Sequence, residues 1–418
     1  MTNDTAHGPG IRLPWAGKMV RIEEVEQRLS TLWSMSHDNL RTGANVNVRT
    51  SVLNLIICTP DIETASRASK VLRDLASTHL ARVTILVLDR SDEASYMSAW
   101  VTLRCFSMIS DLMRHCFEQT TLIAAGSAIR AASNMLQPIL KPDLPVYLWW
   151  IGDPPASSDP TFQNLVDISH RIIFDSTGFF HPEQHLRTLA ALSDGAPNSA
   201  LSDLNWGRIT TWRQLISQFF DVPEYRPYLA GIHTIEIEHA VAPLAQPMQT
   251  AEGDVSPNPA RALLLGAWLK DRLGWTLAED TSKNHHHTAT GYYHWEMVRP
   301  SPSRGTRQLG TTRSRAASNA AITIRPKPDT EVRPGSLSLV RLTSTLDNKQ
   351  AVFTIGREDE PDHVHTSVEI GSDLRRKHVV SLPTSQREHE LLHEELEITT
   401  HDYLFEQTLK EVAGLFDS

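Results

Sequence analysis

The sequence predicts an α/β protein: an N-terminal open, partly parallel α/β sheet domain followed by an α+β domain with a mainly antiparallel sheet. Three observations carry this. Val52–Cys58 and Val83–Leu88 are short, almost wholly apolar runs of the kind buried on both faces of a sheet. Segments with apolar residues at helical spacing lie between such runs, the alternation that builds βαβ units. Past about residue 200 the pattern changes to short strands separated by turn residues, which reads as an antiparallel sheet.

The elements follow in order. Ile22, Val25, Leu29, Leu32 and Trp33 recur at helical spacing. Val52–Cys58 is a strand, Ala65, Ala68, Val71, Leu72 and Leu75 form a helical stripe, and Val83–Leu88 is the next strand. Val101–Phe106 and Thr121–Ala124 read as further strands, and Ala128–Leu136 as a helix ended by Pro138. Val146–Trp150 and Ile172–Phe174 are strands flanking a short helix at Asn164–Ile168. In the second half Trp212–Phe220 is an amphipathic helix, Ile232–Ile237 a half-buried strand, and Ala262–Leu273 a helix stopped by Gly274. Strands are expected at Tyr292–Val298, Ala321–Ile324, Ser336–Leu342, Ala351–Ile355 and His378–Leu382, then helices at Gln386–Leu396 and Asp402–Leu415. The domain break is set at the Gly195–Ser199 turn: 1–20 as a flexible lead-in, 21–200 as the α/β domain, 201–418 as the α+β domain with a mobile loop near 300–320.

At 418 residues, with 40% hydrophobic and 21% charged residues, the chain can bury sizeable cores. A net charge of −9 argues against nucleic-acid binding by bulk charge. No run of about 18 apolar residues suggests a membrane span. Met1–Gly17 lacks the basic start and long apolar stretch of a secretory signal, so a cytoplasmic location is expected. Cys58, Cys105 and Cys116 fit a reducing compartment, as buried, inert thiols; Cys105 and Cys116 pair only if strand and loop bring them together.

The chemistry-bearing motifs are sparse. No Walker loop, no G-x-S-x-G elbow and no G-x-G-x-x-G after Val52–Cys58 is present, so no cofactor is expected. Gly126–Ser127 before the Ala128 helix is a place where a phosphate would find free backbone N–H groups, although a plain serine cap is the simpler reading. His389–Glu390–Leu391–Leu392–His393 matches H-E-x-x-H, which on a helix puts two histidines on one face with Glu390 as base. The glutamates around it read more simply as a solvated helix face, and no metal is expected; a zinc hydrolase on His389 and His393 is the alternative. His285–His287 reads as an exposed loop. The most informative stretch is Leu140–Pro155, where Trp149 and Trp150 end a strand and point to opposite faces before the Gly152–Pro155 turn. Asp203–Leu204–Asn205–Trp206, followed by Arg208 and Trp212, is a second polar-aromatic stretch, with Asp203 as a helix cap.

Taken together, Arg49–Cys58, Ala81–Asp89, Leu144–Pro155, Arg171–Ser176, Asp203–Trp212, Leu263–Trp275 and Leu391–Leu409 resemble the glucose-6-phosphate dehydrogenase assembly protein OpcA family, in order and from about residue 20 to the end. The resemblance implies a non-enzymatic, allosteric activator that binds glucose-6-phosphate dehydrogenase and promotes its active oligomer in the pentose phosphate pathway. It implies no catalytic residues, and the redox role of cysteines in cyanobacterial relatives is not carried over to Cys58, Cys105 or Cys116. Trp149, Trp150, Gly152, Asp153, Asp203, Asn205, Trp206 and Arg208 are the candidate partner-binding or supporting surface. A sugar-phosphate-binding regulator, with its ligand near Gly126 and Gly152, is a further alternative.

Overall fold

A computed structural model describes residues 13–15, 17–38, 46–49, 51–75, 81–92, 94–107, 113–242, 257–300, 318–357, 362–382 and 387–417. Residues 1–12 of the expected lead-in and 301–317 of the expected loop lie outside these. The described chain separates into two compact units, Met1–Gly178 with Ala191–Leu204 and Arg387–Asp402, and Phe179–Ala190 with Asn205–Gln386 and Tyr403–Ser418. No described helix is long and apolar enough to cross a membrane.

The elements run β1 (Lys18–Val20), α1 (Val25–Asp38), β2 (Val46–Arg49), β3 (Leu53–Thr59), α2 (Ile62–Leu75), β4 (Ala81–Asp89), β5 (Tyr96–Ser107), β6 (Met113–Ala125), α3 (Ile129–Leu136), β7 (Val146–Trp150), α4 (Pro160–Ile168), β8 (Arg171–Phe174), α5 (Pro182–Gly195) and β9 (Ala200–Asp203). They continue α6 (Leu204–Arg208), α7 (Thr210–Asp221), β10 (Ile232–Val241), α8 (Ala260–Arg272), β11 (Thr276–Leu277), β12 (His285–His287), β13 (Tyr292–Arg299), β14 (Ser318–Pro328), β15 (Leu337–Leu346), β16 (Lys349–Gly356), β17 (His363–Ile370), β18 (Asp373–Ser381), α9 (Glu388–Glu397) and α10 (Tyr403–Phe416).

The first unit is built on a sheet of order β1-β5-β6-β4-β3-β7-β8-β9, with β2 also pairing β6. From β6 to β9 every neighbouring pair is parallel, while β5 joins β6 and β1 in antiparallel. β3 is buried along its whole length and β4 nearly so, which is why their sequences run apolar without alternation. Helix α2 buries Ala65, Ala68, Leu72 and Leu75. Asp61 caps its start, accepting from the Thr64 backbone N–H at 2.6 Å and the Thr64 hydroxyl at 3.0 Å. Helix α1 is fastened by a buried charge cluster: the Trp33 indole donates to Glu118 at 2.7 Å, and the buried Arg82 guanidinium reaches both Glu118, at 3.3 Å, and Glu26. The closing helix α9 inserts Leu391, Leu392 and Leu396 among Leu55, Leu72, Leu75, Val83 and Trp149. Three such side chains contribute about 1.5–3 kcal/mol each. A cut near residue 200 leaves these leucines outside the first unit because they return to it from the far end of the chain.

The second unit holds the sheet β11-β13-β14-β10-β15-β16-β17-β18, with β12 also on β13. It is antiparallel except for β10 beside β14. Burial alternates along β13, β15, β16 and β17, so one face is inside. Helix α8 packs its Gly266 face toward Ile237, Ile322 and Ile324 of the sheet. Helix α8 ends where the sequence places its stop: Gly274 takes φ +64°, and its N–H bonds back to Asp271 at 3.0 Å. Strand β17 and helix α5 are not among the expected elements; β17 carries few apolar residues, whereas α5 has Leu186, Leu189 and Ala190 at helical spacing and was readable.

Two sequence expectations are corrected. Cys105 and Cys116 are opposite each other in the β5–β6 ladder and form a disulfide, leaving Cys58 as the buried thiol, its pKa pushed up by burial. The Gly126–Ser127 turn is no serine cap: the helix α3 N-cap is Ala128, without a side-chain bond, and Ser127 shares a hydrogen bond with Ser95 at 2.7 Å.

Two outcomes follow. Titrating unreduced, denatured protein with a thiol reagent should report one thiol; three would contradict the disulfide. In the second unit His239 is fully buried, its Nε2 bonded to the Gly291 carbonyl at 2.9 Å, and burial holds its pKa below the usual histidine value. The unfolded chain therefore takes up the proton first, so this contribution is present above about pH 6.5 and is lost as pH falls toward the folded pKa. The urea midpoint should fall between pH 7.5 and 5.5, and His239→Gln should flatten that fall. An unaltered slope in the variant would contradict the assignment.

Candidate functional site

In the first unit, β3 lies centrally and the chain passes to opposite sides of it, toward β4 and β6 one way and toward β7, β8 and β9 the other. This is the strand order of doubly wound dinucleotide-binding folds, and its ligand crevice lies outside the carboxyl ends of β3 and β7. Here the loop after β3 is Thr59–Pro60–Asp61 instead of a glycine-rich turn. The Asp61 carboxylate occupies the α2 N-terminus, where a pyrophosphate would sit. The same edge carries Asp89, Asp92, Asp153 and Asp159, and Arg90 is taken up by Asp159 at 2.5 Å. Fixed negative charge at this rim opposes an anionic ligand such as a sugar phosphate.

The Trp149–Trp150 stretch forms the β7 end of that edge. Trp149 is fully buried in the core of the first unit. Trp150, also buried, lies edge-on to Phe162 at 5.0 Å, and its indole N–H donates to the Asp153 carbonyl at 3.0 Å. That bond closes the turn after β7. Gly152 sits at φ +107°, a conformation L side chains rarely adopt, so the turn requires glycine there. Asp153 is exposed at the tip. The turn runs into α4, whose N-cap Asp159 accepts from Thr161 and Phe162 at 2.9 and 3.0 Å, with Pro160 at the first helical position. One Trp thus anchors the strand and the other shapes the loop that meets solvent.

Asp203, at the end of β9, is also fully buried. Its carboxylate accepts from the Ser176 backbone N–H at 2.9 Å and from the Ser176 hydroxyl at 2.5 Å, joining the ends of β8 and β9. In the second unit, Asn205 is buried and accepts from Arg261 Nε at 2.6 Å; Arg261 also donates to Ser336 at 2.9 Å. Trp206 packs near Phe405 at 5.7 Å, and the Arg213 guanidinium lies 3.6 Å over its ring. Arg208 is half-buried at the end of α6. Of the eight residues singled out, five are buried, Gly152 and Arg208 are partly exposed, and Asp153 is at the surface. The structure places Trp149, Trp150, Gly152, Asp153 and Asp203 in the first unit and Asn205, Trp206 and Arg208 in the second.

The H-E-x-x-H segment has a different use from zinc chemistry. Glu390, the would-be base, accepts from the Arg387 backbone N–H at 2.9 Å and so caps the start of α9 with its carboxylate. His389 faces Asp74 of α2 at 3.9 Å, and His393 faces Glu397 at 3.7 Å. The decisive residue is Glu395, two positions beyond the motif. It meets Arg171, fully buried at the start of β8, at 3.2 Å; Arg171 also donates to the Ser202 hydroxyl and, at 2.5 Å, to the Thr400 carbonyl. Burial raises the Glu395 pKa, against the lowering effects of Ser202 and Arg171. His285–His287 is a short strand rather than a loop, and His286 packs against Trp295 at 5.1 Å and Phe416 at 5.5 Å.

The family described as "Glucose-6-phosphate dehydrogenase subunit N-terminal domain" matches residues 72–191, and its C-terminal domain counterpart matches residues 199–409. The "Putative OxPP cycle protein OpcA" of Synechocystis sp. is 33% identical over 161 residues, covering 38% of this chain and 30% of that protein. Its namesake in Nostoc punctiforme is 32% identical over 161 residues, with the same coverage. These matches span less than a third of the relatives' length. Among solved structures, a levoglucosan dehydrogenase in complex with NADH is 9% identical, with 88% of this chain and 91% of that chain covered and a TM-score of 0.39.

A double-mutant cycle tests the buried pair. Arg171→Leu and Glu395→Leu should each lower unfolding free energy by about 3–5 kcal/mol, and the double variant by clearly less than their sum. Additive, small effects would remove Glu395 as the clamp of α9.

Proposed function

The chain belongs to the OpcA family of glucose-6-phosphate dehydrogenase assembly proteins, and from that premise we propose that it is a non-catalytic partner that binds glucose-6-phosphate dehydrogenase and promotes its active oligomer. Such a protein acts by binding one state of its partner better than another, which shifts the population without any nucleophile of its own. The observation that supports a binding role is how the catalytic-looking groups are used. Glu390 caps a helix, Glu395 neutralises a buried arginine, and Asp203 and Asn205 hold backbone and side chains in place.

The contact surface we assign is the turn after β7. The Trp150–Asp153 bond holds this turn in shape, which spares the binding step part of the loop-ordering entropy. Asp153 presents a carboxylate at its tip. Trp149 and Asp203 are buried supports of the same edge, so replacing them tests folding rather than contact.

The experiment is a titration of this protein into the same organism's glucose-6-phosphate dehydrogenase at low glucose 6-phosphate. NADPH formation and light scattering are followed together. A saturable rise in rate with a change in partner mass is expected; no change in either would sink the proposal. Asp153→Lys should raise the half-saturating concentration about tenfold, equivalent to about 1.4 kcal/mol, with thermal unfolding unchanged. An unaltered titration would move the contact away from this turn.

A further inference from the structure

The β12–β13 ribbon of the second unit carries His285, His286, His287 and His294, and the pairing assigns each to a face of the sheet. His285, His286 and His287 of β12 stand opposite His294, Tyr293 and Tyr292 of β13. Directly opposed residues of an antiparallel pair share a face, and neighbours along a strand take opposite faces. His286 is on the covered face, with its ring 5.1 Å from that of Trp295 and 5.5 Å from that of Phe416. His285 and His294 therefore stand together on the other face. Glu296, two residues further along β13, shares it, in step with the alternating burial of that strand. His287 is on this face too, but its ring lies beside Tyr292 at 6.3 Å.

Two ligand atoms already face each other there. His294 Nδ1 lies 2.9 Å from the Thr323 hydroxyl of β14, and His294 Nε2 lies 3.6 Å from Glu296 Oε1. A metal-bound histidine characteristically has its second ring nitrogen engaged by such a neighbour, which fixes the tautomer and the ring orientation. With zinc bonds of about 2.0–2.1 Å to nitrogen and oxygen, two ligand atoms of a tetrahedral site stand about 3.4 Å apart. The Glu296 backbone is pinned as well, its N–H donating to the Asn284 side chain at 2.9 Å.

As the side chains stand, no three His, Cys, Asp or Glu groups among the described residues converge on one point. The third ligand is within reach. His285 is exposed and opposite His294. Directly opposed Cβ atoms are about 4.5–5.5 Å apart, so rotation of the His285 side chain alone brings its ring to the His294–Glu296 point. Two imidazoles and a carboxylate suit zinc and its borderline neighbours better than calcium or magnesium.

We propose that His285, His294 and Glu296 form a site for a divalent transition metal of the zinc class on this face of the ribbon, with Thr323 positioning His294. Three protein ligands leave the fourth position to water. The metal fastens β12, a strand of three residues, to β13. The proposal is independent of the partner-binding reading and departs from the sequence expectation that no metal is held.

The test uses the full chain without a polyhistidine tag, freed of metal by a chelator and titrated with zinc chloride against a chromophoric competitor. One zinc per chain should bind, and the thermal midpoint should rise with it, as for any ligand of the folded state. His285→Gln and His294→Gln should each weaken binding at least tenfold and remove that rise. Thr323→Val should weaken binding about tenfold through the orientation of His294. If His294→Gln does not fold, the exposed His285→Gln carries the same reading. His389→Gln with His393→Gln, on α9, should leave the titration unchanged. Absence of zinc binding, or binding unaffected by His285→Gln and His294→Gln, would overturn the proposal. So would loss of binding in the His389/His393 double variant alone, which would assign the metal to α9.

Discussion

Arg171 is a cation with almost no exposure to water, and the first unit is organised around neutralising it. A lone buried guanidinium is so unfavourable that its partners must all be in place at once. They come from three parts of the chain: Ser202 on β9, Glu395 on α9 and the Thr400 carbonyl beyond that helix. Residues 387–402 therefore complete the first unit although they lie far from it in sequence. With α9 fixed, Leu391, Leu392 and Leu396 close the core over Leu55 and Trp149.

The same economy governs the edge of the sheet at β7. Trp149 goes into the core, Trp150 turns to Phe162 and bonds the Asp153 carbonyl, and Gly152 supplies the left-handed backbone the turn needs. The outcome is a rigid acidic turn. Asp61, in the position where the dinucleotide-binding folds put a phosphate, adds negative charge to the same rim. The strand order is one that elsewhere cradles nucleotides, yet the chemistry of this rim suits a protein surface better than an anion.

Much of this was legible in the sequence. Buried parallel strands announce themselves as continuous apolar runs, so β3, β4, β7 and β8 lie within a residue or two of expectation. The stop at Gly274 and the pairing of helix and turn signals around α8 were equally readable. What the sequence hid is of three kinds. β17 reads His-Val-His-Thr-Ser-Val, too polar to mark a strand until its neighbours supply the buried face. The disulfide depends on register between β5 and β6, which spacing alone does not specify. The exposure of Trp149, Trp150, Asp203, Asn205 and Trp206 could not be judged from residue type, because aromatic and polar motifs serve interfaces and buried scaffolds alike. The Arg-Arg-Lys centre of β18 broke its apolar pattern and shortened the expected strand to its last few residues.

Amide hydrogen exchange tests most directly whether the turn after β7 is the contact surface proposed for it. Exchange of the chain alone is compared with that of the chain saturated with glucose-6-phosphate dehydrogenase. Slowed exchange in residues 151–159 is expected upon complex formation, with β3, β4 and α9 unaltered. A complex that forms while residues 151–159 exchange at the free rate, or that protects α9 instead, would contradict this assignment.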